Sequence, residues 1–206
     1  VDIGVDIRVA TIVEDTAAEG PGRRFALWVA GCSLRCAGCC NPEMFDARGG
    51  TAMSVDALAA RVAATAAEGI TLLGGEPFEQ AAPLAALAAR VRAAGRTVMV
   101  FSGYTLAELR ARAAADAGTA ALLAATDLLV DGRYDRTRPE PAPPVGRRWI
   151  GSANQVVHWL SDAYRADDPC WRAANTIEVR VARDGGAVTI NGWPSADALR
   201  PRKGAR

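Results

Sequence analysis

Gly31-Cys-Ser-Leu-Arg-Cys-Ala-Gly-Cys-Cys-Asn-Pro42 packs four of the chain's five cysteines into nine residues. Cys32, Cys36 and Cys39 follow the spacing C-x3-C-x2-C, which gathers three thiols on one loop. A fully ligated four-iron cluster takes four thiolates. Three would hold a [4Fe-4S] cube at three corners and leave one iron open to an exchangeable ligand, which makes the cluster a reaction centre rather than only an electron store. Cys40 is a possible fourth ligand, but a side chain adjacent to Cys39 points elsewhere in most loop geometries, so it is read as a neighbour.

Other uses of clustered cysteines fit less well. A structural zinc site shows two separated ligand pairs, and the only distant candidates are His158 and Cys170. A disulfide framework needs distributed cysteines and an oxidising compartment, and nothing marks the chain as secreted.

The 206 residues suffice for one domain with a real core. Half are hydrophobic and the net charge is +1, values that exclude a disordered chain and a nucleic-acid-coating protein. No stretch reaches the roughly 18 apolar residues of a membrane span, and no apolar signal core follows a charged N-terminus. Crowded thiols persist in a reducing compartment, so the expected location is the cytoplasm, with neither membrane nor nucleic acid as partner. Arg200 to Arg206 reads as a solvated basic tail.

Along the chain, strands alternate with helices. Ile7–Val13 alternates and is β-branched, and Phe25–Ala30 is apolar on both faces, so both read as strands, with the cysteine loop leaving the second. Ser54 to about Glu68 reads as a helix closed by Gly69. Ile70–Leu73 is a strand delivering Gly74-Gly-Glu-Pro77 at its tip, where glycines permit close backbone approach and Glu76 offers a carboxylate suited to an ammonium group. A helix from about Glu79 to Ala94, a strand Thr97–Phe101 tipped by Ser102, a helix opened by a Thr105/Glu108 capping box, and a strand Asp127–Val130 leading to Asp131 and Arg133 complete the series. The expected fold class is α/β: an open partial (β/α) barrel of about five to six parallel strands, too few to close an eight-stranded barrel. A proline-rich crossing at 138–144, a short helical run around His158 and Trp159, and a C-terminal β-hairpin (Thr176–Val181 and Ala187–Ile190 across Asp184-Gly-Gly186) follow. The expected division is a core over 1–155 and, packed on it, a helix, hairpin and basic tail over 156–206.

Cys32-x3-Cys36-x2-Cys39 and Gly74 to Pro77, in this order, resemble the signatures of the radical S-adenosylmethionine (SAM) superfamily. The chain is most similar to the activating enzymes of glycyl-radical proteins, especially those of anaerobic ribonucleotide reductase. That likeness rests also on Gly20-Pro-Gly22, Ser102-Gly-Tyr-Thr105, Asp131-Gly132 and Gly151-Ser-Ala-Asn-Gln155, and ends near residue 155. One position departs from the family, which carries an aromatic residue or histidine directly before the third cysteine, where this chain has Gly38.

The resemblance implies one [4Fe-4S] cluster on Cys32, Cys36 and Cys39. It implies SAM chelating the open iron and cleaved reductively to methionine and a 5′-deoxyadenosyl radical. Gly74, Gly75, Glu76 and Pro77 would receive the methionine ammonium, and Ser102, Asp131 and Arg133 the ribose or carboxylate. Asn154 and Gln155 either face the pocket or cap a turn. His158, the only histidine, and Trp171 and Trp193 read as packed residues rather than catalytic ones. The implied partners are a glycyl-radical protein and a flavodoxin- or ferredoxin-type reductant. Two other readings stay open: direct action on a small molecule or peptide, and cluster or SAM binding without turnover.

Overall fold

Every residue of β2 (Arg24–Val29) is buried, as its unbroken apolar run requires. In the computed structural model, which describes residues 6–181 and 188–192, this strand lies inside a seven-stranded sheet. Its companions are β1 (Asp6–Thr16), β3 (Thr51–Ser54), β4 (Gly69–Gly74), β5 (Thr97–Phe101), β6 (Leu128–Asp131) and β7 (Val156–Trp159), ordered β3-β1-β2-β4-β5-β6-β7. β2, β4, β5 and β6 run parallel, whereas β1, β3 and β7 pair antiparallel.

The sheet is therefore mixed, with four parallel strands at its centre and edges at β3 and β7. This corrects the expected count of five to six parallel strands to four. Connection length is the cause: residues 17–23 link β1 to β2, fewer than the dozen or so a parallel crossover needs, and the chain turns back. Residues 132–155 contain no helix to carry a crossover, so β7 returns antiparallel beside β6. The run around His158 and Trp159, expected to be helical, is this strand. Its Val156-Val157 pair alternates exposed and buried, the half-buried pattern of a strand at an edge.

Four helices lie between the parallel strands: α1 (Val55–Ala63), α2 (Ala81–Ala93), α3 (Leu106–Ala113) and α4 (Ala117–Ala125). Ser54 caps α1 by accepting from Ala57 N, but the helix stops short of Glu68, where the Thr65 hydroxyl donates to the Val62 carbonyl. Gly69 belongs to β4 rather than to a helix end. Thr105 and Glu108 form the capping box of α3. Asp116 accepts from Gly118 N and the Thr119 hydroxyl, and so splits the alanine-rich stretch into two helices.

Alternation along the strands sorts side chains into two layers. Phe25, Leu27, Val29, Ile70, Leu72, Val98 and Val100 face the helices and pack with Leu58, Leu84, Leu87, Leu109 and Leu122 in the main core. Burying each such side chain stabilises the fold by roughly 1.5–3 kcal/mol. On the opposite face Trp28 and Leu73 pack with Phe101 and Met44 beside an open cavity. Arg24, fully buried at the start of β2, donates to Thr71 Oγ1 (3.1 Å), Thr97 Oγ1 (2.6 Å), Tyr164 OH (3.0 Å) and the Ile70 carbonyl.

β8 (Glu178–Val181) and β9 (Val188–Asn191) form the expected hairpin as a separate antiparallel pair, with Val179 opposite Ile190. It is fastened to the turn after β1: Ala17 N donates to Glu178 and Gly192 N to Glu19. The Asp184-Gly-Gly186 turn, Trp193 and the basic tail lie outside the described residues. No described helix is long and apolar enough to cross a membrane.

Candidate active site

The cysteine loop leaves the carboxyl end of β2 and is held by backbone bonds on both sides. Gly31 N donates to Met44 O (2.8 Å) and Cys32 N to Phe45 O (3.3 Å). From the tip of β4, Gly75 N donates to Val29 O and Glu76 N to Gly31 O, each at 2.8 Å. The two motifs are thus joined backbone to backbone. A Cβ on Gly75 would lie 2.2 Å from Gly31 O, and one on Gly74, whose φ is +102°, would lie 2.8 Å from Val29 N. These glycines, expected to admit a ligand, are required first by close approach to β2 and, at Gly75, to the start of the cysteine loop.

Glu76 is 1% exposed and turns its carboxylate into the gap between β4 and β5. Oε1 accepts from Phe78 N (3.0 Å) and Ser102 Oγ (2.9 Å), and Oε2 from Gly103 N (2.8 Å). Burial pushes its pKa up to about 7 against the pull of these donors. Pro77 opens the short 3₁₀ turn Pro77–Gln80 that Glu76 caps, which delays α2 to Ala81.

Two residues of that turn were not singled out by sequence reading. Ser33 N donates to both carboxylate oxygens of Glu79 (3.0 and 3.2 Å), and the Ser33 hydroxyl donates to it as well. Gln80 accepts from Arg8 N (2.7 Å) and donates to Ala30 O (2.9 Å) and Arg8 O (3.1 Å). Together they clamp the cysteine loop to β1 and β4. The only signal in the sequence was two polar residues one position beyond the Gly74–Pro77 motif, after Phe78.

Cys32, Cys36 and Cys39 line one cavity of about 710 Å³ together with Gly74, Gly75, Glu76 and Ser102. It opens on the face of the sheet opposite α1–α4, at the carboxyl ends of the parallel strands, the position of ligand sites in α/β folds. Burial raises the Cys32 thiol, opposed by the Arg35 and Leu34 amides that donate to it, and Asn41 N donates to Cys39 Sγ at 3.4 Å. Among the described residues no three His, Cys, Asp or Glu side chains converge as ligands of a single ion. Three thiols around one open cavity, two of them receiving backbone N–H groups, fit the donor set of an iron–sulfur cluster. Cys40 lines the same cavity, and burial, then the Cys39 sulfur, push its thiol up to about 11. Gly38, at φ +80°, has the stem of Arg136 where a side chain would stand: a Cβ would lie 2.7 Å from Arg136 Cδ.

Other candidates are held in the surrounding frame. Asp131 is buried, accepts from Leu106 N and meets His158 Nε2 at 2.9 Å. Arg133 donates to Glu108 (3.0 Å) and lies 5.7 Å from the centre of the Tyr104 ring. Neither is among the residues that line the cavity, although Gly132 between them is. Gln155 lines it while its amide bonds Gly151 N, Ser152 N and Gly132 O; Asn154 donates to Arg133 O. Trp171 is buried in a cluster with Ile150 and Val157, with Cys170 packed beside it.

The profile of the family described as "4Fe-4S single cluster domain" matches residues 18–158. The anaerobic ribonucleoside-triphosphate reductase-activating protein of Vibrio cholerae is 35% identical over 148 residues, 68% of this chain and 89% of that protein. The protein of the same name from Escherichia coli K12 is 32% identical over 68% of this chain and 91% of its own length. QueE from Escherichia coli covers 48% of this chain and 54% of its own, with TM-score 0.42 and 17% identity, a likeness too distant to carry an argument. With the thiol-lined cavity and the Gly74–Pro77 loop beside it, the profile and the two relatives place the chain in the family of anaerobic ribonucleoside-triphosphate reductase-activating proteins, with a 4Fe-4S single cluster domain.

Proposed function

We propose that the protein activates an anaerobic ribonucleotide reductase by removing a hydrogen atom from a glycine of that partner. One observation carries this reading: the three motif thiols and the Glu76 loop share one cavity, in a chain aligned with 89% of an activating protein. When bound, the reduced [4Fe-4S] cluster supplies an electron that cleaves SAM to methionine and a hydrogen-abstracting 5′-deoxyadenosyl group.

The chain's own residues have positional roles. Cys32, Cys36 and Cys39 hold three corners of the cube, and the amides of Leu34, Arg35 and Asn41 offset negative charge on two of the sulfurs. Glu76 and the Gly74 and Gly75 carbonyls receive the ammonium, while Ser102 and Gly103 fix the Glu76 rotamer. Asp131 and Arg133 act at one remove, Asp131 by tying α3 to β7 and Arg133 by tying the loop after β6 to Glu108. Trp28, Leu73 and Phe101 give the cavity an apolar wall that excludes water from a reactive radical. A flavodoxin- or ferredoxin-type protein is the electron donor, and the cytoplasm the site of action. Residues 1–155 form the radical SAM core, and the hairpin belongs to a C-terminal extension.

The test is anaerobic reconstitution with iron and sulfide, reduction, and incubation with SAM and the reductase. Formation of 5′-deoxyadenosine and of a glycyl-radical signal in electron paramagnetic resonance, both lost in Cys32→Ala, is the expected result. 5′-Deoxyadenosine formed with a small molecule but never a radical on the reductase would overturn the reading in favour of a small-molecule enzyme.

A further inference from the structure

We propose that the edge of β9 facing the cavity binds an extended peptide segment of the protein that receives the radical, adding it as a third strand; this rests on the activase reading above. Thr189, Ile190, Asn191 and Gly192 all line the cavity. Successive side chains of a strand point to opposite faces, so three consecutive lining residues of β9, Thr189 to Asn191, mean that the cavity meets the strand edge-on. Among the described residues β9 pairs only with β8. Toward the described residues its other edge therefore presents unpaired backbone N–H and C=O groups, the template for strand addition.

A second observation points to a ligand at the same place. Asn191 is 5% exposed, yet its Nδ2 has no acceptor among the described residues. Trp149 also lines the cavity, and its buried Nε1–H is likewise unpartnered. Buried donors without acceptors are disfavoured, and in this proposal a carbonyl-bearing ligand in the cavity supplies the missing acceptors. Glu19 also lines the cavity and accepts from Gly192 N (3.0 Å), which anchors the strand end beside it.

The occupant follows from the chemistry. Val179 and Val181 stand opposite Ile190 and Val188 on one face of the ribbon, and Val181 is 64% exposed, so an apolar shelf borders the edge. The other face is held to the body by Glu178 on Ala17 N and Arg180 on the Asp15 carbonyl. An alternating backbone edge, side-chain N–H donors and an aliphatic shelf complement an extended peptide with apolar side chains. Among the described residues the cavity lining offers a phosphate no lysine or arginine. The hairpin lies beyond the family match, which ends at residue 158, so this wall of the cavity is an addition to the shared core.

Amide hydrogen exchange on the reconstituted protein, alone and with the anaerobic ribonucleotide reductase of the same organism as probe, tests the assignment. Exchange at 189–191 is expected to slow by about tenfold or more on complex formation, and Asn191→Leu to weaken the complex by about tenfold. Unchanged β8 exchange in that variant would show that the hairpin still folds. A reductase that binds and gains its radical while 189–191 exchange as before would overturn this inference and leave the activase reading standing. No complex and no radical would overturn both. Slow exchange already in the free protein would assign the edge to the chain's own residues, and slowing by SAM or a nucleotide alone would assign it to a small-molecule pocket; either result overturns the proposal.

Discussion

The proposed role of Glu76 makes SAM binding depend on pH in a direction fixed by its surroundings. Burial pushes its pKa up to about 7, so acid removes the charge proposed to pair with the methionine ammonium. With a pKa of about 7, roughly nine tenths of the carboxyl is ionised at pH 8 and roughly a tenth at pH 6, so the apparent affinity falls about tenfold across that interval. Glu76→Gln keeps the shape and the Ser102 contact but carries no charge, and is expected to bind weakly and with a flat profile. Equilibrium dialysis of labelled SAM against reconstituted protein measures both. A flat wild-type profile between those pH values, or the same slope in Glu76→Gln, would refute the argument. Without ligand the sign reverses. The folded protein holds a proton that the unfolded chain, with its ordinary value of 4.5, has released. This contribution is full below 4.5 and lost as pH rises through about 7, at most about 3 kcal/mol in total.

Other substitutions separate the roles of neighbouring residues. Cys36→Ala or Cys39→Ala should abolish the charge-transfer absorbance of the reconstituted cluster, whereas Cys40→Ser and Cys170→Ser should retain it; iron analysis checks the ratio. Gln80→Leu leaves Arg8 N, Arg8 O and Ala30 O without their bridge, and should lower stability in urea by about 2–3 kcal/mol while slowing cluster assembly. Arg24→Met removes a buried cation that serves two threonines, a tyrosine and a carbonyl, and should cost about 2–4 kcal/mol by thermal unfolding without changing the SAM dissociation constant.

The central strands were legible because each is a short apolar run ending in a polar tip; Thr97–Phe101 matches β5 residue for residue. The Thr105/Glu108 box was legible because capping is local chemistry. Strand direction was not, since it depends on whether the connecting chain can cross the sheet, and β1 and β7 turned back where no crossover helix intervenes. β3 (Thr51–Ser54) gave no signal: mostly exposed, it owes its shape to pairing with β1 rather than to its own side chains. At the site, the motif spacing singled out Cys32, Cys36, Cys39 and the Gly74–Pro77 loop, and the fold brings the three thiols, Gly74, Gly75 and Glu76 to one cavity. Tertiary contacts determined the rest. Asp131 and Arg133 sit at a strand tip as expected, but their polar groups are engaged by Leu106, His158 and Glu108. Glu79 and Gln80 matter through partners on the cysteine loop and on β1, some 46 to 72 positions away in sequence.

The backbone bonds from Gly75 to Val29 and from Glu76 to Gly31 have a thermodynamic consequence. Because the loop bearing the thiols and the loop bearing the carboxylate share hydrogen bonds, neither can settle without the other, and ordering one lowers the entropy cost of ordering its neighbour. Linkage is reciprocal. With SAM at the Glu76 loop as proposed, assembling the iron–sulfur cube is expected to tighten SAM binding, and SAM to raise the affinity of the cysteines for the cluster by the same factor.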